Sequence, residues 1–281
     1  MKYYASFVEK TDQYTMEGVL DYFNERIRID HYTGNVEAVI EKLEELAEMH
    51  AFTKYIVKGR GEHLSRLFSL GYTLEAVISG YFQGHDAYMV TKYKSDARRN
   101  SEYWVREDDI VQAITKSSLR NDKDIPSHFV LRKATEQDAL SLAQLFGQVF
   151  QVYPTPLNKE DYIIKTMNED TVYYVYETNG TIVSTASAEI DSIQKNAELT
   201  NCATLPEYRK HGLMKKLLKR LEEELQSRAI FCSYTIARSL SYGMNAAFYQ
   251  LGYTYTGRMT NNCYIYDKLE DMNVWVKDLS K

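Results

Sequence analysis

A chain of 281 residues, 44% apolar and 26% charged, has room for one large globular core or two of ordinary size. Its net charge of −5 argues against a nucleic-acid binder, and its longest apolar runs fall well short of the roughly 20 residues a membrane-spanning helix needs. Three cysteines without C-x-x-C spacing, six histidines without metal-ligand spacing and an N-terminus without an apolar leader predict a cytoplasmic protein with reduced thiols and no metal. Tyrosine is unusually frequent, at 24, which suits half-buried strand positions with a polar tip.

In chain order, Arg26–His31 alternates as a short strand, and Asn35 caps a helix whose apolar stripe is Val36, Val39, Ile40, Leu43, Leu46 and Ala47. Thr53–Val57 reads as a strand, Glu62–Leu70 as a short helix ended by Gly71, and Tyr72–Phe82 and Ala87–Tyr93 as strands. Composition turns polar from Ser95 to Ser127 around a helix at Arg106–Ser117, which places a domain boundary there: residues 1–127, then 128–281. A strand restarts at Phe129, and Thr135 with Gln137 and Asp138 starts a helix that runs to about Val152 and is broken by Tyr153-Pro154-Thr155-Pro156. A short helix at Asp161–Met167 leads to strands at Val172–Glu177 and Ile182–Ile190, joined by the hairpin pair Asn179-Gly180. A strand from Ala197, a helix at Leu213–Ser227, a strand at Ile230–Ala237 and a helix near Asn245–Leu251 follow; strands at Tyr253–Met259 and Cys263–Lys268 close the chain.

The two parts echo one another. Leu67-Phe68-Ser69-Leu70-Gly71-Tyr72-Thr73 aligns with Phe248-Tyr249-Gln250-Leu251-Gly252-Tyr253-Thr254 at a constant offset of 181 residues, and the element order around both is the same. The first part therefore reads as a partial copy of the second. It lacks any R-x-x-G turn before its long helix, so it should bind no pyrophosphate.

That turn is the chemical signal of the chain. Ala197–Lys216 runs from an alternating strand through Arg209-Lys210-His211-Gly212-Leu213-Met214 into a helix N-terminus. First-turn N–H groups without intrahelical partners, the helix dipole and a glycine make a phosphate cradle. Arg209–Met214 resembles the [QR]-x-x-G-x-[GA] signature of the GNAT N-acetyltransferases, with Met214 departing from the usual small residue. Asn245–Tyr253 is similar to that family's second signature. The layout, Val152–Pro156 and the strand L-T-N-C-A-T-L-P-E-Y-R further resemble the β-lysine N-acetyltransferases, which acetylate the 6-amino group of β-lysine (3,6-diaminohexanoate) in compatible-solute synthesis.

The resemblance implies an α/β fold with a mixed sheet, the GNAT acyl-CoA N-acyltransferase fold, preceded by a GNAT-like partial domain, and acetyl-CoA as co-substrate. It implies CoA contacts from Ala203, Thr204, Leu205, Arg209, Lys210, His211, Gly212, Leu213, Met214, Lys215, Asn245 and Tyr249, the strand after Asn201 splaying from its neighbour to pair with the CoA arm. A lysine-like amine, with a pKa of about 10.4, must lose a proton before it attacks a thioester. Tyr249 is expected to protonate the departing thiolate, and either Glu198 or a water chain to accept the amine proton. Tyr153, Glu189, Asp191 and Asn262 are expected around the acceptor, with Asn261, Arg238 and Arg258 nearby. A homodimer is compatible with this reading. The rivals are acetylation of another small amine or a protein amine, and a non-catalytic acyl-CoA-binding scaffold.

Overall fold

In the computed structural model, which describes residues 3–119, 124–150 and 152–281, the amphipathic segments form as their periodicity dictates. Asn35 Oδ1 accepts from the N–H groups of Glu37 (3.0 Å) and Ala38 (3.3 Å), and this cap opens α1, Val36–Met49. Around it lie β1 (Tyr4–Lys10), β2 (Tyr14–Asp21), β3 (Arg26–Gly34), β4 (Lys54–Gly59), α2 (Leu64–Ser69), β5 (Thr73–Phe82) and β6 (His85–Tyr93). Helices α3 (Asp96–Arg99) and α4 (Trp104–Thr115) connect to β7 (Val130–Lys133), α5 (Ala139–Val149), α6 (Glu160–Asn168), β8 (Thr171–Thr178), β9 (Thr181–Asp191) and β10 (Asn196–Thr204). The chain continues through α7 (Leu213–Ser227), β11 (Cys232–Arg238), α8 (Tyr242–Gln250), β12 (Thr254–Ile265) and β13 (Lys268–Asp278). The polar boundary stretch expected at Ser95–Ser127 includes residues 120–123, which lie outside the described residues.

The thirteen strands of the described residues form one mixed sheet in the order β1-β2-β3-β4-β6-β5-β12-β13-β11-β10-β9-β8-β7. Strands β1 to β6 follow the same spatial order as β8 to β13, and each set holds a single parallel pair, β3·β4 and β10·β11. Each parallel crossover contains the long helix of its half, α1 or α7. The α7 face of Leu213, Leu217, Leu218, Leu221 and Leu225 is buried with residues of α5, β8, β9 and β10. Full burial of each such side chain stabilises by about 1.5–3 kcal/mol. Helix α1 packs over β2, β3 and β4 in the same way.

The halves join at β5 and β12, where Ala76 pairs antiparallel with Gly257, its counterpart at the 181-residue offset. Gly257 has φ +151°, and a Cβ there would stand 2.1 Å from the Glu75 carbonyl oxygen and 2.6 Å from Ala76 Cα, so only glycine fits this crossing. Polar ties reinforce the seam. The buried Lys54 ammonium donates to the Thr260 carbonyl (2.7 Å) and pairs with Glu75 (2.9 Å); Arg26 Nη1 donates to the Asn262 carbonyl (3.0 Å), and the Tyr264 N–H to Asn24 Oδ1 (2.7 Å). Burial lowers the Lys54 pKa to about 8 despite that carboxylate.

Four strands depart from expectation. β1 and β2 were not foreseen, and the two closing strands expected at Tyr253–Met259 and Cys263–Lys268 are one strand, β12. A register shift between Met259 and Cys263, with Asn261 at φ +42°, gives its middle the polar look of a turn. The final strand, β13, was hidden because Glu270, Asp271 and Asn273 are buried polar residues on a strand, which blur an alternating pattern.

Candidate active site

Strand β10 pairs with β11 only over Asn196–Glu198. Beyond Glu198 the two strands part, while β10 continues against β9 to Thr204 through a bulge at Asn201 (φ +52°) and Cys202. The divergence opens a cleft of about 830 Å³ lined by Thr200, Asn201, Cys202 and Thr204 on one wall and Thr235, Ile236, Ala237 and Arg238 on the other. Backbone groups on the open side of a splayed strand have no ladder partner and suit an extended amide-bearing ligand.

The basic turn closes one end of this cleft, with Arg209, Lys210, Gly212, Leu213, Met214 and Lys215 in its lining. Lys210 (φ +70°) and Gly212 (φ +82°) take left-handed conformations that fold the turn tightly before α7. Gly212 is the N-cap, no side chain among the described residues caps the helix, and its first turn carries no acidic residue. Those N–H groups and the helix dipole are left to an anion, so the cradle fits a pyrophosphate. Met214 packs partly against the core and leaves the backbone approach intact. Arg209 Nε donates to the Thr204 carbonyl (3.2 Å), tying turn to strand, and His211 lies beside the Phe129 ring at 5.5 Å. The side chains of Ala203 and Leu205 enter the core instead of the cleft.

Two residues of the second signature are corrected. Tyr249 is absent from the cleft wall: its hydroxyl donates to the carbonyls of Thr115 (2.9 Å) and Ser117 (3.4 Å) at the end of α4. One residue is about 100° of helical rotation, and Phe248, the neighbour whose atoms border the cleft, is buried in the core against Tyr253. Asn245 is fully buried. Its amide donates to the carbonyls of Arg238 (2.9 Å) and Ser241 (2.8 Å), and its Oδ1 accepts from Asn273 Nδ2 (2.9 Å) and Trp275 Nε1 (2.8 Å), which leaves nothing for a ligand.

A second cavity, about 460 Å³, adjoins the cleft, and Tyr153, Pro154, Thr200, Asn201, Ile236 and Met272 line both. Tyr153 stacks on Phe150 (4.6 Å), its hydroxyl lies 3.4 Å from Asn201 Oδ1, and burial raises its pKa well above that of a free phenol. The floor carries two carboxylates directly opposite on β9 and β10, Glu189 and Glu198. Burial and the neighbouring Glu189 push Glu198 up to about 7, against the pull of Arg28 and Lys58. Glu189 keeps access to water through the cavity mouth while its surroundings also raise it, and Asn201 Nδ2 lies 3.4 Å from its Oε1. Like charges facing across a ladder repel, so the pair favours a cation between them.

The remaining expected positions divide. Asn262 lines this cavity, is buried, and its Oδ1 has no partner among the described residues. Asp191 also lines it, but its Oδ1 accepts from the N–H groups of Ile193 (3.0 Å) and Gln194 (2.8 Å) and holds the hairpin turn. Asn261 is spent on the carbonyls of Ala97, Arg98 and Asn100, and Arg258 pairs with Asp108 (2.9 Å) on α4. Arg238 lines the cleft, held by Glu270 through two contacts of 2.8 Å.

Residues 139–253 match the Acetyltransferase (GNAT) family. N-acetyltransferase YodP of Bacillus subtilis is 39% identical over 263 residues, covering 93% of this chain and 96% of its own. The chain belongs to the GNAT acetyltransferase family. A β-lysine N(6)-acetyltransferase of Methanosarcina mazei is 36% identical over 269 residues, 88% of this chain and 99% of its own. A solved N-acetyltransferase from Staphylococcus aureus superposes with a TM-score of 0.47 at 17% identity, over 54% of this chain and 99% of its own. The enzyme is thus an N-acetyltransferase whose relatives share nearly its whole length. No helix of the described residues is long and apolar enough to cross a membrane, and among them no group of His, Cys, Asp or Glu is placed to hold a metal.

Sequence reasoning missed the other wall of the enzyme's second cavity, which belongs to the first half: Arg28 and Asp30 from β3, Lys58 from β4 and Tyr81 from β5. Arg28 grips Asp30 with Nε (2.6 Å) and Nη2 (3.0 Å), and Lys58 donates to Asp30 (2.8 Å) and to the Tyr81 hydroxyl (2.6 Å). No short motif marks these residues. The available signal was the alternation Arg26, Arg28, Asp30 on one face of a strand, too polar for a solvent-free core and too ordered for a loop.

Proposed function

We propose that this enzyme transfers the acetyl group of acetyl-CoA to the 6-amino group of β-lysine. The observation that carries the reading is the meeting of an anion-cradling cleft and a charged amine-sized cavity at Tyr153, Thr200 and Asn201. The name borne by the Methanosarcina mazei relative supports the same acceptor.

The turn from Arg209 to Lys215 would hold the pyrophosphate, and the open edge of β10 would receive the amide-bearing arm. Bound acetyl-CoA supplies the acetyl group as a thioester. An amine at the junction arrives protonated, and Glu198, with its carboxyl poised near neutrality, takes that proton at a carboxylate oxygen. The C–N bond forms as the thioester C–S bond breaks, and the departing thiolate would accept a hydrogen bond from Tyr153, whose hydroxyl stays protonated at neutral pH because burial disfavours the phenolate. Glu189, exposed on the cavity wall, would face the second ammonium of a diamine. In the same reading, residues 1–127 form a GNAT-like unit that lacks the cradle and serves as a wall of the acceptor cavity, and residues 128–281 form the catalytic unit.

The test is release of free CoA from acetyl-CoA by the purified enzyme across an amine panel. β-Lysine should support the fastest release. No release above background with β-lysine, while another amine is turned over, would reject the acceptor.

A further inference from the structure

The strand registers place unlike charges at equivalent positions of the two halves. In the parallel pair β3·β4 the first partners are Arg26 and Lys54, and in β10·β11 they are Asn196 and Cys232. Two residues on, Arg28 occupies in the first half the place that Glu198 occupies in the second. Both line the same cavity, and Arg28 and Lys58 are close enough to draw the Glu198 carboxyl downward. The cavity is therefore bipolar: carboxylates on the wall from the second half, a guanidinium and an ammonium around a single Asp30 on the wall from the first.

We infer that Arg28 is a specificity-determining residue that receives the carboxylate of a zwitterionic amine acceptor, so that the half without a cradle selects amino acids over plain diamines. Its side chain is half-open to the cavity, at 31% exposure. Asp30 occupies Nε and Nη2 and fixes the guanidinium plane, while Nη1 has no protein partner among the described residues. Lys58 is more deeply buried, and its ammonium is already engaged by Asp30 and Tyr81, so it adds charge without a free face. Arg26 is committed to Asp21 and the Asn262 carbonyl. Of the cations lining the cavity, Arg28 has the exposed edge. The wall from the second half offers the exposed Glu189 carboxylate to an ammonium. A ligand with an anionic end and two cationic nitrogens matches this distribution better than a diamine, which would set a cation against Arg28.

This inference rests on the amine-acetylating role proposed above, and its test is separable from the identity of the amine. The comparison is between an acceptor and its decarboxylated counterpart: β-lysine against 1,4-diaminopentane, or, for an enzyme that takes lysine instead, lysine against 1,5-diaminopentane. The unmodified enzyme should favour the carboxylated member in kcat/KM. Arg28→Gln should cut kcat/KM for it roughly 10- to 100-fold, the scale of a charge-assisted hydrogen bond, mainly through KM, and should hold or raise that of the diamine, whose cation no longer meets a guanidinium. Arg28→Lys should restore part of the loss. Since Arg28→Gln also strips Asp30 of a partner, the double variant Arg28→Gln/Asp30→Asn is run beside it and should show the same substrate ratio with a melting temperature near that of the unmodified enzyme. Equal losses on both members of the pair, or a loss in kcat alone, would overturn the assignment. Failure with β-lysine but a carboxylate preference on another amine would sink the acceptor identity and leave Arg28 standing.

Discussion

Glu198 shows how one residue position joins structure to reactivity. It stands on β10 opposite Glu189, at the last rung before β10 leaves β11, so the strand that opens the cleft also carries the proposed proton acceptor to its edge. With the carboxyl pushed up to about 7, the rate constant kcat/KM should rise about tenfold per pH unit below 7 and level off above it. Glu198→Gln should lower the plateau and remove that limb; an unchanged profile would show that water alone accepts the proton. The sign for stability is opposite. The folded chain holds this proton more tightly than an unfolded chain does, so the contribution of the group to stability falls as pH rises from the ordinary carboxylate range through about 7. Glu198→Gln should therefore melt no lower than the parent at pH 8. Two tyrosines give a second residue-scale contrast. Tyr153→Phe removes the phenol at the junction and should reduce kcat roughly 100-fold with little change in acetyl-CoA binding. Tyr249→Phe loses hydrogen bonds to the end of α4, worth about 1 kcal/mol, and should leave kcat nearly intact. The reverse ranking in steady-state kinetics would return the donor role to Tyr249.

At the scale of elements, what was legible followed from local physics. The Asn35 cap, the leucine face of α7 and the glycine-bearing turn announced themselves because caps, 3.6-residue periodicity and left-handed turns depend on neighbours in sequence. The place of Tyr249 was not legible, since a single residue of helical phase turns its hydroxyl to the end of α4 and away from the cleft. β13 was missed for a related reason: a strand buried on both faces can carry acids and amides when other elements satisfy them, and Asp271, Glu270 and Asn273 are bonded to Asn261, Arg238 and Arg258. The seam between β5 and β12 depends on Gly257, whose position lets two backbones cross. Gly257→Ala should destabilise the protein by at least roughly 1–3 kcal/mol and loosen the junction of the halves. A thermal melt indistinguishable from the parent would mean that the seam yields without cost.

At the scale of the whole molecule, two sets of six strands with the same order meet edge to edge, and the site draws on both. The second set supplies the cradle, the splay and the carboxylates; the first supplies the cationic wall of the acceptor cavity. The family signature revealed the first of these because its residues are contiguous. The second left only the alternation Arg26, Arg28, Asp30 in the sequence, and its pairing with Glu198 was hidden because Arg28 and Glu198 are 170 residues apart and meet only through the fold. On the proposal made above, the reaction is confined to one end of a zwitterion: the first half would hold the carboxylate, Glu189 the inner ammonium, and the far nitrogen would be left at the junction with the cleft. The position of the acetyl group in the product, read by NMR after the enzyme has turned over acetyl-CoA with β-lysine, tests this most directly. Acetylation at the 6-amino group alone, one per CoA released, is the result predicted; acetylation at the 3-amino group, or a mixture of the two, would contradict it.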